Sequence, residues 1–320
     1  DTAREGGANL LFYELLTEIG QGSYGKVYKA REVGEGGRLL AVKKFHFCSE
    51  ASLSSNDNGI PPHIIREVAL LERMKYFQHP NVVKLLDATA TLVGRSLDLT
   101  LVLEYIDQDL STYLSVAHPS GLSRDNIKAV MLQVMRGLDF LHANIVLHRD
   151  LKPANILVSS SGLVKITDFG MSRLYSYNVA LTPGVVTLWY RAPEVLLKSS
   201  YMSSVDMWSV GCVFFFKIYL FKLEAHYFGA VNHFRFIGLP SEDEWPQDSP
   251  MTYSLNLGPK NPHPQLLLSL KPYERDLLLV SCSKCHPGKR KSGSAEYLYY
   301  NFFFKWMLYV KSQLIMQHLH

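Results

Sequence analysis

Cysteine is scarce in this sequence, and long apolar runs are absent. Four cysteines in 320 residues are too few for a disulfide framework and are typical of reduced thiols in a cytosolic or nuclear protein. No stretch of about 18 uncharged apolar residues occurs, which is the length a membrane span needs. Residues 297–316 come closest, but Lys305 and Lys311 interrupt them. We therefore expect no membrane partner.

A strong excess of charge of one sign is also missing. The chain has 33 Lys and Arg against 29 Asp and Glu, for a net charge of +4. This excess is too small to argue for nucleic acid as a partner. Residues 1–9 are polar without an apolar core, so no secretory signal is expected, and the lack of an initial Met fits a fragment. The length and the 47% hydrophobic content fit two lobes or domains.

One cysteine cluster has several interpretations. Cys282-Ser283-Lys284-Cys285-His286 matches the haem-attachment pattern of c-type cytochromes, but that chemistry requires export to an oxidising compartment. A zinc site would need two further ligands, and only His318 and His320 are available. We favour coincidence.

The periodicity of apolar residues predicts a mainly β segment followed by a mainly helical one. We predict β-strands within Tyr13 to Arg31, at Leu39 to Phe47, at Val82 to Leu86 and at Leu99 to Glu104. Pro61-Pro62 would precede a helix, and Cys48 to Gly59 would be a mobile loop. Ile106 to Leu110 would be a polar linker. Apolar residues at helical spacing predict a helix over Asn126 to His142.

A glycine motif lies inside the first predicted hairpin. Gly20, Gly22 and Gly25 have the Gly-x-Gly-x-x-Gly spacing, which allows backbone amides to close over phosphates. The same spacing occurs in dinucleotide-binding folds, where the third glycine opens a helix. Here residues 26–30 continue as an alternating strand, and Lys43 follows as a phosphate-binding cation. We therefore favour a nucleoside triphosphate over NAD.

A lysine and a glutamate are predicted to pair. Glu67 shares one helix face with Leu71 and Met74 by i, i+4, i+7 spacing, so its carboxylate would be buried. A buried carboxylate requires a partner, and Lys43 is the candidate. Taken singly, each residue could equally be an ordinary solvated charge.

Residues 148–155, His-Arg-Asp-Leu-Lys-Pro-Ala-Asn, place a carboxylate, an ammonium group and an amide oxygen in one short loop. Phosphoryl transfer from ATP requires a base, a cation and a metal ligand. Asp168-Phe169-Gly170 and Ala192-Pro193-Glu194 follow in order. Together with the glycine motif and Ala41-Val42-Lys43, this set resembles the protein kinase family.

The sequence between these motifs resembles that of the cyclin-dependent kinases, and within them that of the members partnered by D-type cyclins. The residues behind this finer match are Asp107–Leu110, Gly137–His142, Leu181–Pro183 and Val185–Arg191. The match is strong from about Phe12 to Gly211. The resemblance implies an α+β, bilobal protein kinase fold: a small, mainly β N-lobe with one key helix at 12–103, a hinge at 104–110, and a mainly α C-lobe at 111–320.

The resemblance also implies the site. Asp150 would be the base, Lys152 would neutralise the γ-phosphoryl group, and the Lys43–Glu67 pair would hold the α- and β-phosphates of ATP. Asn155 and Asp168 would be Mg²⁺ ligands. The main chain of Glu104 and Ile106 would bind adenine. The nucleotide site as a whole would comprise Ile19, Gly20, Gly22, Gly25, Val27, Ala41, Lys43, Leu103, Glu104, Ile106, Asp109 and Leu157. Ala154 stands where these kinases often have Glu or Gln.

Regulation follows from the same resemblance. Arg66, Arg149 and Arg173 would converge on Thr182 once an activating kinase has phosphorylated it. A D-type cyclin would dock on Pro61 to Met74. Tyr24 would be an inhibitory phosphorylation site, although a tyrosine that merely covers the site is an equal interpretation. Substrates would be proteins with Ser-Pro or Thr-Pro, and the location would be nucleus and cytoplasm.

Two segments, 214–230 and 297–320, match the family poorly. Phe216 stands where Glu is usual, whereas Asp206 would anchor the catalytic loop and Arg290 would pair with Glu194. These departures keep open an alternative, a catalytically dead pseudokinase that acts as a cyclin-binding scaffold.

Overall fold

The computed structural model describes residues 12–22, 25–34, 36–48, 60–94, 96–117, 122–174 and 203–213, with positions 190, 192, 195, 242, 252 and 254. The chain divides into two compact units, Asp1–Asp107 and Gln108–His320. The boundary falls inside the segment 104–110 that the sequence predicts as a hinge. No helix of the described part is long and apolar enough to span a bilayer.

The first unit is built on a five-stranded antiparallel sheet. Its strands are β1 (Tyr13–Gly22), β2 (Gly25–Glu32), β3 (Leu39–Cys48), β4 (Leu85–Val93) and β5 (Ser96–Glu104), in the order β1-β2-β3-β5-β4. Gly22 and Gly25 pair directly, so the glycine motif forms the hairpin between β1 and β2. The third glycine opens a strand rather than a helix, which confirms the strand interpretation over the dinucleotide-binding one.

The two faces of this sheet carry different residues because side chains alternate along a strand. One face holds a fully buried cluster of Ala30, Leu40, Val42 and Val102. The intervening residues of β3, Ala41 and Lys43, point to the opposite face. An ion pair from Lys43 to helix α1 (Pro62–Phe77) shows that α1 lies on that second face.

Helix α1 begins where the two prolines predict it. Pro61 is the N-cap and Pro62 the first helical residue, where the missing N–H and the fixed φ of proline suit a helix start. Ile64, Glu67, Leu71 and Met74 are buried, so the predicted stripe is confirmed. The helix ends before Gln78, whose φ is +29°.

Three strand or linker predictions are wrong in their bounds. The strand predicted at Val82 to Leu86 is β4, which begins at Leu85 and extends to Val93; Val82 and Val83 are buried but lie before it. Strand β5 begins at Ser96 rather than Leu99. The linker predicted to reach Leu110 ends earlier, because Gln108–Asp109 forms strand β6 and Leu110 begins a helix.

The second unit is described by three helices and several short strands. The helices are α2 (Leu110–Ala117), α3 (Arg124–Ala143) and α4 (Ser204–Cys212); β6 pairs with β8 (Ile156–Val158), β8 with β9 (Val164–Ile166), and β7 (Val146–Leu147) with β10 (Arg173–Leu174). The prediction that the chain is mainly helical after His142 is wrong for residues 146–174. Their apolar residues are in runs too short to show a period.

Helix α3 confirms the helix predicted over Asn126 to His142. Ser123 caps it by accepting the N–H of Asn126 at 3.2 Å. Its buried residues include Val134 and Leu138. Gln133 ties the helix to the connection between β8 and β9, because its Nε2 donates to the carbonyl of Gly162 at 2.9 Å and its Oε1 accepts the N–H of Val164 at 2.9 Å.

Candidate active site

A buried aspartate on α4 holds the loop that follows β7. The carboxylate of Asp206 accepts the main-chain N–H of His148 at 2.9 Å and of Arg149 at 2.7 Å, and it lies 2.8 Å from Nε2 of His142. A carboxylate only accepts, so Nε2 of His142 carries the proton. The predicted anchoring role of Asp206 matches this geometry. Sequence reasoning missed His142 as the third partner, although it lies inside the quoted stretch Gly137–His142.

The pKa of Asp206 reflects two opposing effects. Burial alone raises the pKa of this fully buried carboxyl, because desolvation disfavours the charged form. The hydrogen bond from His142, with smaller contributions from the electrostatic interactions with His142 and His148 and from the N–H of Arg149, outweighs burial and holds the pKa below its usual value. Asp206 is therefore an ionised anchor at neutral pH.

Two residues of the site have left-handed backbone conformations. Arg149 has φ +66° and Asp168 has φ +65°, a region that L-residues other than glycine rarely adopt. The bond from Arg149 N to Asp206 holds the first, and Nε of Arg149 also donates to the carbonyl of Met171 at 2.7 Å. Such strain persists only where surrounding contacts fix it, and it concentrates at functional sites.

Asp150, Lys152 and Asn155 form one hydrogen-bonded group. Oδ2 of Asp150 accepts from Nζ of Lys152 at 2.7 Å and from Nδ2 of Asn155 at 2.9 Å. Nδ2 of Asn155 also donates to the Asp150 carbonyl at 2.8 Å. Because both acceptors fix the amide orientation, Oδ1 of Asn155 is the atom that can ligate a metal. The carboxylate, ammonium and amide oxygen predicted to lie together do so.

The Asp168 loop lies against the same group. The N–H of Thr167 donates to the Asn155 carbonyl at 3.0 Å. His148 is fully buried, and its Nδ1 accepts the N–H of Asp150 at 3.3 Å. Its Nε2 therefore donates to the Thr167 carbonyl, at 2.9 Å. Sequence reasoning gave His148 no role, yet this imidazole bridges the two loops that carry the acidic residues.

The lysine and glutamate of the first unit pair as predicted. Nζ of Lys43 lies 2.6 Å from Oε1 of Glu67. The Glu67 side chain is 4% exposed and that of Lys43 is 21% exposed, so the charge on Glu67 is compensated inside the fold while Lys43 keeps one side towards solvent.

The other nucleotide residues of the first unit lie in register on the sheet. Val27 is paired with Gly20 on one side and with Lys43 on the other, and Ala41 is paired with Leu103. A Cβ at Gly25 would collide with the main-chain oxygen of Lys44, whereas one at Gly20 would meet nothing closer than 3.8 Å. Gly25 is thus required for the close approach of β2 and β3. Ile19 is 47% exposed, and Gly22 ends β1.

Hydrogen bonds to Lys84 hold Glu104 of the predicted adenine-binding segment in place. The N–H of Glu104 donates to the carbonyl of Lys84 at 3.1 Å, and the N–H of Lys84 donates to Oε1 of Glu104 at 2.7 Å. An adenine contact by Glu104 would therefore use its carbonyl. The ammonium of Lys29 lies 4.6 Å from the ring centroid of Tyr105, just before Ile106, a cation–π geometry.

In the second unit, Asp109 and Leu157 are direct partners across β6 and β8. Leu157 lies in β8, which begins directly after Asn155. The pair is therefore close in the chain to the hydrogen-bonded group of Asp150, Lys152 and Asn155. Both carboxylate oxygens of Asp109 accept hydrogen bonds from the start of α2. Sequence reasoning missed this cap, although an aspartate directly before a helix is a helix-start signal.

The predicted arginine cluster is only partly visible. Nε of Arg66 donates to the Pro62 carbonyl at 3.0 Å. Arg173 is in β10, and its buried Nε has no hydrogen-bond partner among the described residues. Several predictions concern residues outside the described part. They are the roles of Thr182, Tyr24 and Phe216, the Arg290–Glu194 pair and the Cys282–His286 cluster. Sequence reasoning also missed Ser172, a buried residue that donates to the His148 carbonyl at 3.2 Å.

Comparison with known proteins agrees with this geometry. The protein kinase domain family matches residues 13–299. Cyclin-dependent kinase 4 of Ovis aries is 51% identical over 258 residues, covering 79% of this chain and 83% of the relative, and that of Mus musculus gives the same values. Cyclin-dependent kinase 4 of Xenopus laevis is 46% identical over 296 residues, covering 90% of this chain and 89% of the relative.

Proposed function

Because this chain belongs to the protein kinase family and, within it, is a serine/threonine kinase of the cyclin-dependent type, we propose that it transfers the γ-phosphoryl group of ATP to Ser or Thr residues that precede Pro. The observation that carries this proposal is the hydrogen-bonded group of Asp150, Lys152 and Asn155. In one fixed arrangement, this group would supply a base, a cation and a metal ligand.

Asp150 would act on the incoming hydroxyl. Its Oδ2 is held by Lys152 and Asn155, so Oδ1 is the oxygen that would orient the substrate and accept its proton. The hydroxyl oxygen forms a bond to the γ-phosphorus while the bond from that phosphorus to the β–γ bridging oxygen breaks, and ADP leaves with the electron pair. Lys152 would neutralise charge on the transferred group.

Asn155 and Asp168 fit Mg²⁺. Both offer hard oxygen atoms, which this cation prefers, and the orientation of the Asn155 amide leaves its oxygen for that purpose. When bound with ATP, Mg²⁺ supplies positive charge that offsets the charge of the triphosphate. The contact from Thr167 to Asn155 keeps the two ligand-bearing loops together.

Lys43 and the glycine hairpin would hold the phosphates of ATP. The Glu67 carboxylate fixes the Lys43 ammonium at one point over the second face of the sheet. Lys43 therefore reaches the α- and β-phosphates only while α1 keeps its position, which makes α1 the natural point of control.

A D-type cyclin is the partner we propose for α1. The relatives named cyclin-dependent kinase 4 support a cyclin, and the segment from Pro61 to Met74 contains Ile65, which is 53% exposed on the helix that carries Glu67. A protein that covers this helix would hold the Lys43–Glu67 pair in place, because α1 could then not move away from β3.

Phosphorylation of Thr182 by an activating kinase is the second proposed input. Arg173 lies in β10, paired with Leu147 of β7, and Arg149 follows β7 by two residues. The buried Nε of Arg173, which has no hydrogen-bond partner among the described residues, is a donor that a phosphate could satisfy. A phosphate adds about −1.5 to −2 charge and up to three charge-assisted hydrogen bonds. Proline-directed substrates, and residence in nucleus and cytoplasm, complete the proposal and rest on the resemblance.

The test is transfer of labelled phosphate from Mg-ATP to a Ser-Pro peptide by the full chain, with and without a D-type cyclin. We expect transfer only with the cyclin, and a loss of it in Asp168→Asn. A peptide in which Ala replaces the Pro should be a poor substrate. Binding of cyclin without any transfer, in the parent and the variant alike, would instead support the pseudokinase scaffold.

A further inference from the structure

Three hydrogen bonds from the start of α2 hold the carboxylate of Asp109. Oδ1 accepts the main-chain N–H of Ser111 at 2.8 Å and of Thr112 at 3.1 Å. These two bonds cap the helix, because they satisfy N–H groups that have no partner inside it. Oδ2 accepts the hydroxyl of Thr112 at 2.7 Å. Capping does not require this third bond.

The third bond changes what Asp109 can bind. A carboxylate has about four lone-pair positions, and three of those on Asp109 are occupied. The Thr112 hydroxyl therefore fixes the plane of the carboxylate and leaves one acceptor position on Oδ2. Without that hydroxyl, Oδ2 would have no protein donor among the described residues.

The chemistry of ATP limits what that remaining position can accept. The triphosphate has no donors and repels a carboxylate, so the donors of ATP are the adenine amine and the two ribose hydroxyls. The resemblance to cyclin-dependent kinases implies that the main chain of Glu104 and Ile106 binds adenine and that Asp109 belongs to the nucleotide site. Asp109 pairs with Leu157 on the strand that continues from Asn155. The ribose hydroxyls are the donors left for Asp109.

We propose that Thr112 is a positioning residue for the nucleotide: its hydroxyl fixes the Asp109 carboxylate in the orientation that presents the last lone pair of Oδ2 to a ribose hydroxyl. This inference rests on the proposed function, because it assumes that Asp109 faces ATP. A pre-oriented acceptor loses less conformational freedom on binding, which strengthens binding without a new contact.

The test compares two nucleotides on three variants of the full chain in complex with its cyclin. Thr112→Val has nearly the same shape and lacks the hydroxyl, whereas Thr112→Ser keeps a hydroxyl. Ser115→Ala is the matched control, because it removes a hydroxyl on the same helix that donates to the Thr112 carbonyl and not to Asp109. The probes are Mg-ATP and its 2′,3′-dideoxy analogue, which lacks both ribose hydroxyls.

We expect Thr112→Val to raise the KM for ATP by about three- to tenfold, the effect of one ordinary hydrogen bond, with kcat unchanged. The KM for the dideoxy analogue should not change, and Thr112→Ser should restore the parent value for ATP. A role in helix stability alone would move both nucleotides and the melting temperature together, and that result would overturn the inference.

The two levels of the proposal fail in different ways. If the parent chain binds ATP and Thr112→Val binds it equally well or more tightly, the positioning role of Thr112 is wrong and the kinase function stands. If the parent chain binds no ATP by calorimetry, the proposed function is wrong, and the role of Thr112 fails with it.

Discussion

Nζ of Lys43 on strand β3 lies 2.6 Å from Oε1 of Glu67 on helix α1. The two residues are 24 positions apart in the chain, and the Glu67 carboxylate is nearly fully buried. Burial of an uncompensated carboxylate is costly, so this pair favours a single position of α1 over the sheet.

Glu67→Gln should separate catalysis from folding at this pair. Glutamine keeps the length of the side chain and its oxygen can accept from Lys43, but the attraction between two opposite charges is lost. Close pairs of opposite charge couple by about 1.5 kcal/mol or more, so we expect kcat/KM for ATP to fall about ten- to a hundredfold. Glu72→Gln on the same helix is the control and should match the parent. Equal losses in both variants would contradict a specific role of the pair.

Gly25→Ala should destabilise the first unit, because the added Cβ would collide with the main-chain oxygen of Lys44 on the neighbouring strand. Overpacking of this kind costs about 1–3 kcal/mol, which denaturant unfolding can measure. Gly20→Ala in the same motif is the control, since its Cβ would find no atom closer than 3.8 Å. The prediction would be wrong if the two variants unfolded at the same denaturant concentration.

Asp206→Asn should weaken both the stability and its dependence on acid. Asparagine must turn its amino group towards one of the N–H donors that the carboxylate now accepts; each buried donor left without a partner costs about 1–3 kcal/mol. The pKa of Asp206 is lower in the folded chain than its ordinary value of 3.8. The unfolded chain therefore takes up this proton first, and the stabilisation is present above pH 3.8 and lost as the pH falls through the folded pKa.

The measurement is the melting temperature as a function of pH. The difference between parent and Asp206→Asn should shrink as the solution is acidified below pH 3.8. Ser209→Ala on the same helix removes a buried, non-titrating hydroxyl, so its effect should be independent of pH. A gap that stays constant for Asp206→Asn would show that this carboxyl has an ordinary pKa.

Tyr190 should make stability fall at alkaline pH. Burial, with a smaller contribution from Cys212, raises the pKa of Tyr190 from 10.0 to about 12. The folded chain holds the phenol proton to a higher pH than the unfolded chain, so this contribution is complete below pH 10.0 and is lost as the pH rises to about 12. Tyr190→Phe should lack that loss, and ultraviolet absorbance of the phenolate should show one fewer late-titrating group. A parent and variant with the same alkaline titration would refute it.

The sequence predicts the parts of the site that depend on local patterns. Glycines at 20, 22 and 25 predict a turn between two strands, and Glu67 is predicted to be buried because it shares a face with Leu71 and Met74. Local patterns also misplaced the start of strand β4. Val82 and Val83 are apolar and buried, and burial alone does not distinguish a strand from the turn before it.

Contacts between distant parts of the chain were harder to predict from the sequence. No local pattern indicates that His148 would bridge the Asp150 and Thr167 loops, since the effect depends on two segments about 20 residues apart packing together. The cap that Asp109 makes on α2 by accepting from Thr112 could have been found, because the two residues are only three positions apart.

The anchoring of the catalytic loop by Asp206 has a consequence for shortened forms of the chain. Arg149 and Asp206 are separated by 57 positions. A product that ended before α4 would contain the glycine motif, Lys43, Asp150, Asn155 and Asp168 but not Asp206. The main-chain N–H groups of His148 and Arg149 would then lack their acceptor. A splice form or nonsense allele of that kind would look intact to a motif search, yet it would be inert as an enzyme.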